Sequence, residues 1–276
     1  MERRMPVLSG FGDEISPDLD EQLDLLSGSG INLLDLRGVW NRNVLELTDA
    51  EVGKIADGLA QRGMRVSCVA TPVGKAAIDG DFAQQQAALA RGVEIAQALG
   101  TTNLRIFSYY IPEGDDPAHH RDEVLRRLAA LVEQGQAAGM TLLHENERGI
   151  YGDSPERCHD LHATIDSPHF LALWDPGNFA SCGFRPYHES WELLRPYIGY
   201  VHVKDYDRTA KRVVVAGAGD AEWPECIRAL REDGYDGIFS LEPHLAVAGK
   251  AGGFTGPELY VEAIAALLGV LRDGGM

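Results

Sequence analysis

The chain has 276 residues, of which 45% are hydrophobic, and carries a net charge of −17 at pH 7. That is enough apolar material for a sizeable core, while so acidic a balance argues against nucleic acid, whose partners present basic stripes. No apolar stretch approaches the roughly 20 residues of a membrane span. The charged start Met1–Met5 is followed by no apolar segment, so no signal peptide is expected. Cys68, Cys158, Cys182 and Cys226 have no paired spacing and read as reduced thiols of a cytoplasmic protein.

In chain order the expected strands are Val7–Phe11, Leu33–Arg37, Arg65–Ala70, Asn103–Phe107, Thr141–Glu145, Leu171–Asp175, Gly199–Val203 and Ile238–Glu242. Their starts lie 26 to 39 residues apart, and every interval has room for one helix. Helix signals fill those intervals. Ser16-Pro17 offers a cap followed by proline, and Ser154-Pro155 repeats the pattern. Thr48 to Glu51 has the form of a capping box. Gly100, Gly139 and Gly234 stand where helices should stop, and Gly256-Pro257 opens a last amphipathic run, Leu259–Leu271. Doubly wound sheets also alternate strand and helix, but they usually have five or six strands, and no Gly-rich dinucleotide turn follows strand 1. The expected fold is therefore α/β, a (β/α)8 TIM barrel forming a single domain over residues 1–276.

In such a barrel the strand C-termini converge on one face. Four apolar runs at or near these ends close on an acid or an imidazole, Glu145, Asp175, His202 and Glu242. Three hard oxygen donors and one imidazole suit a single divalent ion, Mn²⁺ before Mg²⁺, Co²⁺ or Zn²⁺. Taken singly, Asp175 before Pro-Gly could merely cap a turn, and His202 could be a core histidine. Other polar groups follow the strand ends: Arg37, Lys75, Arg105, Asn178, Lys204 and His244, each a candidate for substrate binding or for an internal ion pair. His144 precedes a candidate ligand and by alternation should face the helices. Glu147 is expected to cap the loop that follows. Trp40 and Tyr109 lie past strand ends, where core, rim and sugar-stacking roles all remain open.

With its Glu, Asp, His, Glu order at the ends of strands 5 to 8, the chain resembles the xylose-isomerase-like barrels over residues 7 to 270. More closely it is similar to the sugar phosphate isomerase/epimerase proteins, which include ketose 3-epimerases and the inosose and hydroxypyruvate enzymes. The resemblance implies that Glu145 and Glu242 are both metal ligands and the proton-transfer pair. It also implies that Arg208, six residues past His202, binds substrate. The related endonuclease branch has a histidine where this chain has Asn178, and it needs further histidines that the early strand ends lack.

The expected partner is a small sugar or sugar derivative, with neither nucleic acid nor membrane, and a homodimer or homotetramer stays open. The implied activity is isomerase or epimerase: one glutamate removes a proton next to a carbonyl, the other returns it, and the intervening species is an enediolate. A metal-assisted lyase or dehydratase acting on a keto-sugar would use the same groups. A non-catalytic sugar-binding barrel is the remaining alternative.

Overall fold

The computed structural model describes residues 6–246 and 254–276; the charged segment Met1–Met5 lies outside the described residues. Eight parallel strands close into a barrel: β1 Val7–Phe11, β2 Leu33–Leu36, β3 Arg65–Ala70, β4 Asn103–Ile106, β5 Thr141–Glu145, β6 Phe170–Trp174, β7 Ile198–Val203 and β8 Ile238–Leu241. Each pairs with its neighbours in sequence, and β8 closes on β1 with Val7 opposite Ile238. The expected strands differ from these by a residue at some ends. Those shifts fall where the ladder gives way to a loop or cap, as at Asp175, which caps a helix.

The helices are α1 Leu19–Gly28, α2 Asp49–Gln61, α3 Phe82–Leu99, α4 Arg121–Ala137, α5 Pro155–Ile165, the short α6 Pro176–Ser181 and α7 Trp191–Leu194, α8 Trp223–Glu232 and α9 Pro257–Asp273. Thr48 and Glu51 form the capping box of α2, and Ser154 caps α5 with Pro155 in its first turn. Gly100 ends α3 in the left-handed conformation, with φ 72°, which glycine adopts without a Cβ penalty. The start of α1 differs from expectation. Asp18, not Ser16, is the cap, accepting from the backbone N–H groups of Asp20 and Glu21. The Ser16 hydroxyl instead accepts from the Asp18 N–H, so Ser16-Pro17 forms the turn that leads into the cap.

Strand alternation divides the core in two. The larger cluster fills the layer between barrel wall and helices and includes Leu34, Leu36, Leu104, Ile106, Leu142 and Trp174. The smaller one, Cys68, Leu143, Leu173 and Tyr200, comes from the opposite faces of β3, β5, β6 and β7 and plugs the barrel interior. His202 and Glu145, two residues on from Tyr200 and Leu143, sit on the same side of their strands and so rise above this plug. His144 points the other way, as alternation requires, and packs buried against His162 and Phe170. All four cysteines are free thiols. Among the described residues no helix is long and apolar enough to cross a membrane.

Candidate metal centre

The last residue of β5, the penultimate residue of β7 and the first residues after β6 and β8 bring Glu145, His202, Asp175 and Glu242 together. One donor atom from each lies within 4.8 Å of the other three, and all four side chains are buried. The three carboxylates share a design: one oxygen is tied down and the other faces the cluster. Glu145 Oε2 accepts from Arg105 Nη1 at 3.1 Å, Asp175 Oδ1 from the Asn178 N–H at 2.8 Å, and Glu242 Oε1 from Arg37 Nη1 at 2.8 Å. The inward oxygens are Glu145 Oε1, Asp175 Oδ2 and Glu242 Oε2. His202 Nδ1 lies 3.2 Å from the first and 3.3 Å from the third. Asp175 Oδ2, Glu242 Oε2 and His202 Nδ1 make no well-formed hydrogen bond among the described residues.

Asp175 therefore fills both of the roles open from sequence. It caps α6 through one oxygen and presents the other to the cluster. Pro176 supplies the fixed φ of the first helical position. Gly177 is needed for a different reason: a Cβ there would stand 2.5 Å from Lys204 Cγ, so only glycine lets Lys204 pass.

Lys204 enters the cluster itself. Its Nζ lies 2.7 Å from Glu242 Oε2, 3.0 Å from Asp175 Oδ2 and 3.7 Å from Glu145 Oε1. Arg105 spans the two glutamates from the other side, 3.1 Å from Glu145 and 3.6 Å from Glu242, with its guanidinium over the Phe11 and Phe107 rings. Asn178 Nδ2 donates to Glu145 Oε1 at 3.3 Å and to the Asn146 carbonyl at 2.9 Å.

The charges account for the ionisation states. Burial and the Glu242 charge push Glu145 up, but His202 and Arg105 outweigh them and its carboxyl is held below the usual range. Burial also opposes ionisation of Glu242, yet Lys204 and His244 hold it well below. Asp175 has fewer cationic partners, and burial pushes it up to about 6 against the pull of Lys204.

Arg37 and His244 build a second tier. Arg37 binds Asp13 at 2.7 Å, Glu14 at 3.0 Å and Glu242, while His244 Nε2 lies 3.0 Å from Glu14 and 3.4 Å from Glu242. Glu14 is buried and also accepts from the Thr255 hydroxyl at 2.6 Å. Burial works against its charge, but His244 and Arg37 hold it down at about 2.

Asp35 is a residue that the strand-end pattern misses. It sits inside the barrel beneath His202, where its Oδ1 accepts from Ser9 at 2.8 Å, from Tyr200 at 2.5 Å and from Ser67. Its Oδ2 faces His202 Nε2 at 3.7 Å. The sequence does carry a signal for it: an aspartate in the apolar run Leu33-Leu-Asp-Leu36 shares strand parity with Arg37 and so points inward.

Two expected site residues are not brought to the cluster. Arg208 lies in a hairpin, Asp205–Asp207 paired with Arg212–Val214, where it is partly exposed and bound to Asp220 at 3.3 Å. Lys75 pairs with Glu147 at 2.7 Å and lies over the Phe107 ring. Glu147 is thus a partner of Lys75. Tyr109 is fully buried and belongs to the core, with Arg127 over its ring. Asp205, adjacent to Lys204, turns away and accepts the backbone N–H groups of Gly217, Gly219 and Ala221.

Comparison with known proteins agrees with the barrel fold. A family model described as xylose isomerase-like TIM barrel matches residues 23–269. An uncharacterized protein of Methanocaldococcus jannaschii is 29% identical over 157 residues, 54% of this chain and 53% of that protein. The match thus spans about half the length of that curated relative. A D-tagatose 3-epimerase-like protein superposes with TM-score 0.77 at 18% identity, covering 96% of this chain and 97% of its own. The probable 3-DHS dehydratase AsbF of Bacillus anthracis gives TM-score 0.76 at 16% identity, covering 96% and 99%. A xylose isomerase-like TIM barrel protein of Mycobacterium smegmatis, solved in complex with magnesium, gives 0.70 at 19% identity, covering 98% and 97%. At these identities the likeness is one of fold.

Proposed function

The chain belongs to the xylose isomerase-like TIM barrel family, and from that premise we propose that it is a divalent-metal-dependent isomerase or epimerase of a sugar, sugar phosphate or keto-polyol. The observation that carries the reading is the split use of the carboxylates. Glu145, Asp175 and Glu242 each commit one oxygen to a fixed partner and turn the other toward His202 Nδ1. Gathering three buried carboxylate oxygens around one imidazole nitrogen costs several kcal/mol of desolvation for each charge, a cost that a bound divalent ion would offset. The donor set of three carboxylate oxygens and one imidazole nitrogen fits Mn²⁺, Mg²⁺ or Co²⁺.

Glu145, Asp175, His202 and Glu242 would hold the ion. Once bound, it would supply positive charge beside the substrate's carbonyl and hydroxyl oxygens, making the neighbouring C–H more acidic. The rest falls to the chain. With the inner oxygens turned to the ion, proton transfer falls to the outer oxygens of Glu145 and Glu242, which Arg105 and Arg37 hold in place. One removes the proton and the other returns it. Return to the opposite face gives an epimer, and return to the neighbouring carbon gives an aldose–ketose isomer. Both carboxyls are held ionised, which makes them weak bases, so positioning must supply the rate.

A second reading, a metal-assisted dehydratase acting on a keto-sugar, is favoured by Lys204. An ammonium beside Asp175 and Glu242 could give its proton to a departing hydroxyl.

The test is conversion of free and phosphorylated ketoses in D₂O with Mn²⁺, for wild type, Glu145→Gln and Glu242→Gln. Isomerase chemistry predicts deuterium in product from wild type and none from either variant, with the fold of both intact. Release of water from substrate would favour the dehydratase. Turnover with no solvent deuterium at long times would replace proton transfer by a hydride shift. Binding of sugar without turnover in any form would leave a sugar-binding barrel.

A further inference from the structure

The three inward oxygens that fit a divalent ion are the same three that surround the Lys204 ammonium, at 2.7, 3.0 and 3.7 Å. Two cations cannot both occupy the centre of these oxygens. Resting on the metal-site reading above, we propose that Lys204 is a built-in counter-cation that competes with the divalent ion for Glu145, Asp175 and Glu242. It would hold the site together before the ion arrives and be displaced toward the substrate space when the ion binds.

The position is constructed rather than incidental. Lys204 follows β7 two residues after His202, so it shares that strand's inward parity. Its backbone carbonyl accepts from Trp223 Nε1 at 3.0 Å, which fixes the base of the side chain. Its stem passes over Gly177, where a Cβ would collide with it. The side chain is buried, and three carboxylates close around the head. Lysine fits this duty better than arginine. Its charge is compact and its four-carbon stem is flexible, so it can leave without dismantling a bidentate pair. Arg105 and Arg37, by contrast, engage outer oxygens of the two glutamates and need not move when the ion binds.

The consequences run in opposite directions for the two states. Without metal, removal of the ammonium leaves three buried carboxylates short of positive charge, so the protein should melt earlier. With metal, the same removal deletes a like-charge competitor, so the ion should bind more tightly. A merely structural lysine would lower stability without tightening metal binding. A lysine that helps to hold the ion would weaken binding when removed.

The experiment titrates Mn²⁺ alone by calorimetry into metal-stripped wild type, Lys204→Met and Lys204→Arg, and records Tm with and without Mn²⁺. The proposal expects Lys204→Met to bind Mn²⁺ at least tenfold more tightly than wild type and to melt several degrees lower when metal-free. It also expects a larger Mn²⁺-induced rise in Tm. Lys204→Arg, which keeps the charge, should show no such gain in affinity. Equal or weaker binding by Lys204→Met would overturn the competition and leave the metal site standing. No binding by wild type or either variant would overturn both. If Lys204→Met does not fold without metal, the lysine ammonium resonance of wild type decides in its place. A protected signal that shifts or exchanges faster on saturation with Mg²⁺ supports displacement, and one that Mg²⁺ leaves unmoved refutes it.

Discussion

Replacing His162 by leucine should remove an acid-sensitive element from the fold. His162 lies on α5, fully buried, with its ring stacked on Phe170 at 4.5 Å between centroids and on Tyr197 at 5.5 Å. Neither ring nitrogen makes a well-formed hydrogen bond among the described residues. Burial holds its pKa well below the ordinary 6.5, and the neighbouring His144 adds to the effect. Below that ordinary value the unfolded chain takes up a proton that the folded chain refuses. Stability from this residue is therefore full above about pH 6.5 and is lost as pH falls beneath it. Acidification from pH 7 to pH 5 covers about 1.5 units of that range, and at 1.36 kcal/mol per unit it removes roughly 2 kcal/mol. Other groups titrate over the same interval, so the useful quantity is a difference of differences. Urea unfolding of wild type and His162→Leu at both pH values measures it. Whatever the variant's stability at pH 7, it should lose about 2 kcal/mol less than wild type on going to pH 5. Equal losses would refute the reasoning, since they would mean that His162 is protonated in the fold or already exposed.

Arg37→Met should destabilise the protein by about 3–5 kcal/mol, because it removes the buried guanidinium shared by Asp13, Glu14 and Glu242 and leaves their charges under-compensated; a loss under about 1 kcal/mol in urea unfolding would show that these charges relax into water. Asp35→Asn should weaken Mn²⁺ binding by roughly ten- to a hundredfold, because the carboxylate facing His202 Nε2 orients the ring that presents Nδ1 to the site. Unchanged affinity by calorimetry would confine Asp35 to its hydroxyl partners. Arg208→Ala should leave Mn²⁺ affinity intact and lower kcat/KM by roughly ten- to a hundredfold, the size of one charge-assisted hydrogen bond. Wild-type kinetics would mean that Arg208 never leaves Asp220. Lys75→Ala should raise KM more for a phosphorylated sugar than for its free form; equal effects would point to a neutral substrate.

Much of the fold is legible from local pattern. Apolar runs at 26- to 39-residue spacing, with a helix stop such as Gly100 or a capping box such as Thr48–Glu51 between them, leave few arrangements besides eight βα units. Period-two alternation then fixes which side of the wall each residue takes. For that reason residue order alone is enough to put Glu145 and His202 on the inner side of the barrel and His144 among the helices. Alternation also carries the signal for Asp35, but a charged residue in mid-strand says nothing about its partners, which come from β1, β3 and β7.

Reach past the strand ends is decided only by tertiary structure. Arg208 has the right spacing from His202, yet the Asp205–Val214 hairpin carries it to Asp220, because a loop's path depends on what packs beneath it and not on residue count. Lys204 goes into the cluster because Gly177 leaves room and Trp223 fixes its backbone, and both arrive from other segments of the chain. The division of each carboxylate into a tethered and an inward oxygen is likewise set in space, by Arg105, Arg37 and the first turn of α6. Sequence pattern determined which residues face the centre of the barrel. The partners that long side chains find there are non-local, and only the closed barrel brings them within reach.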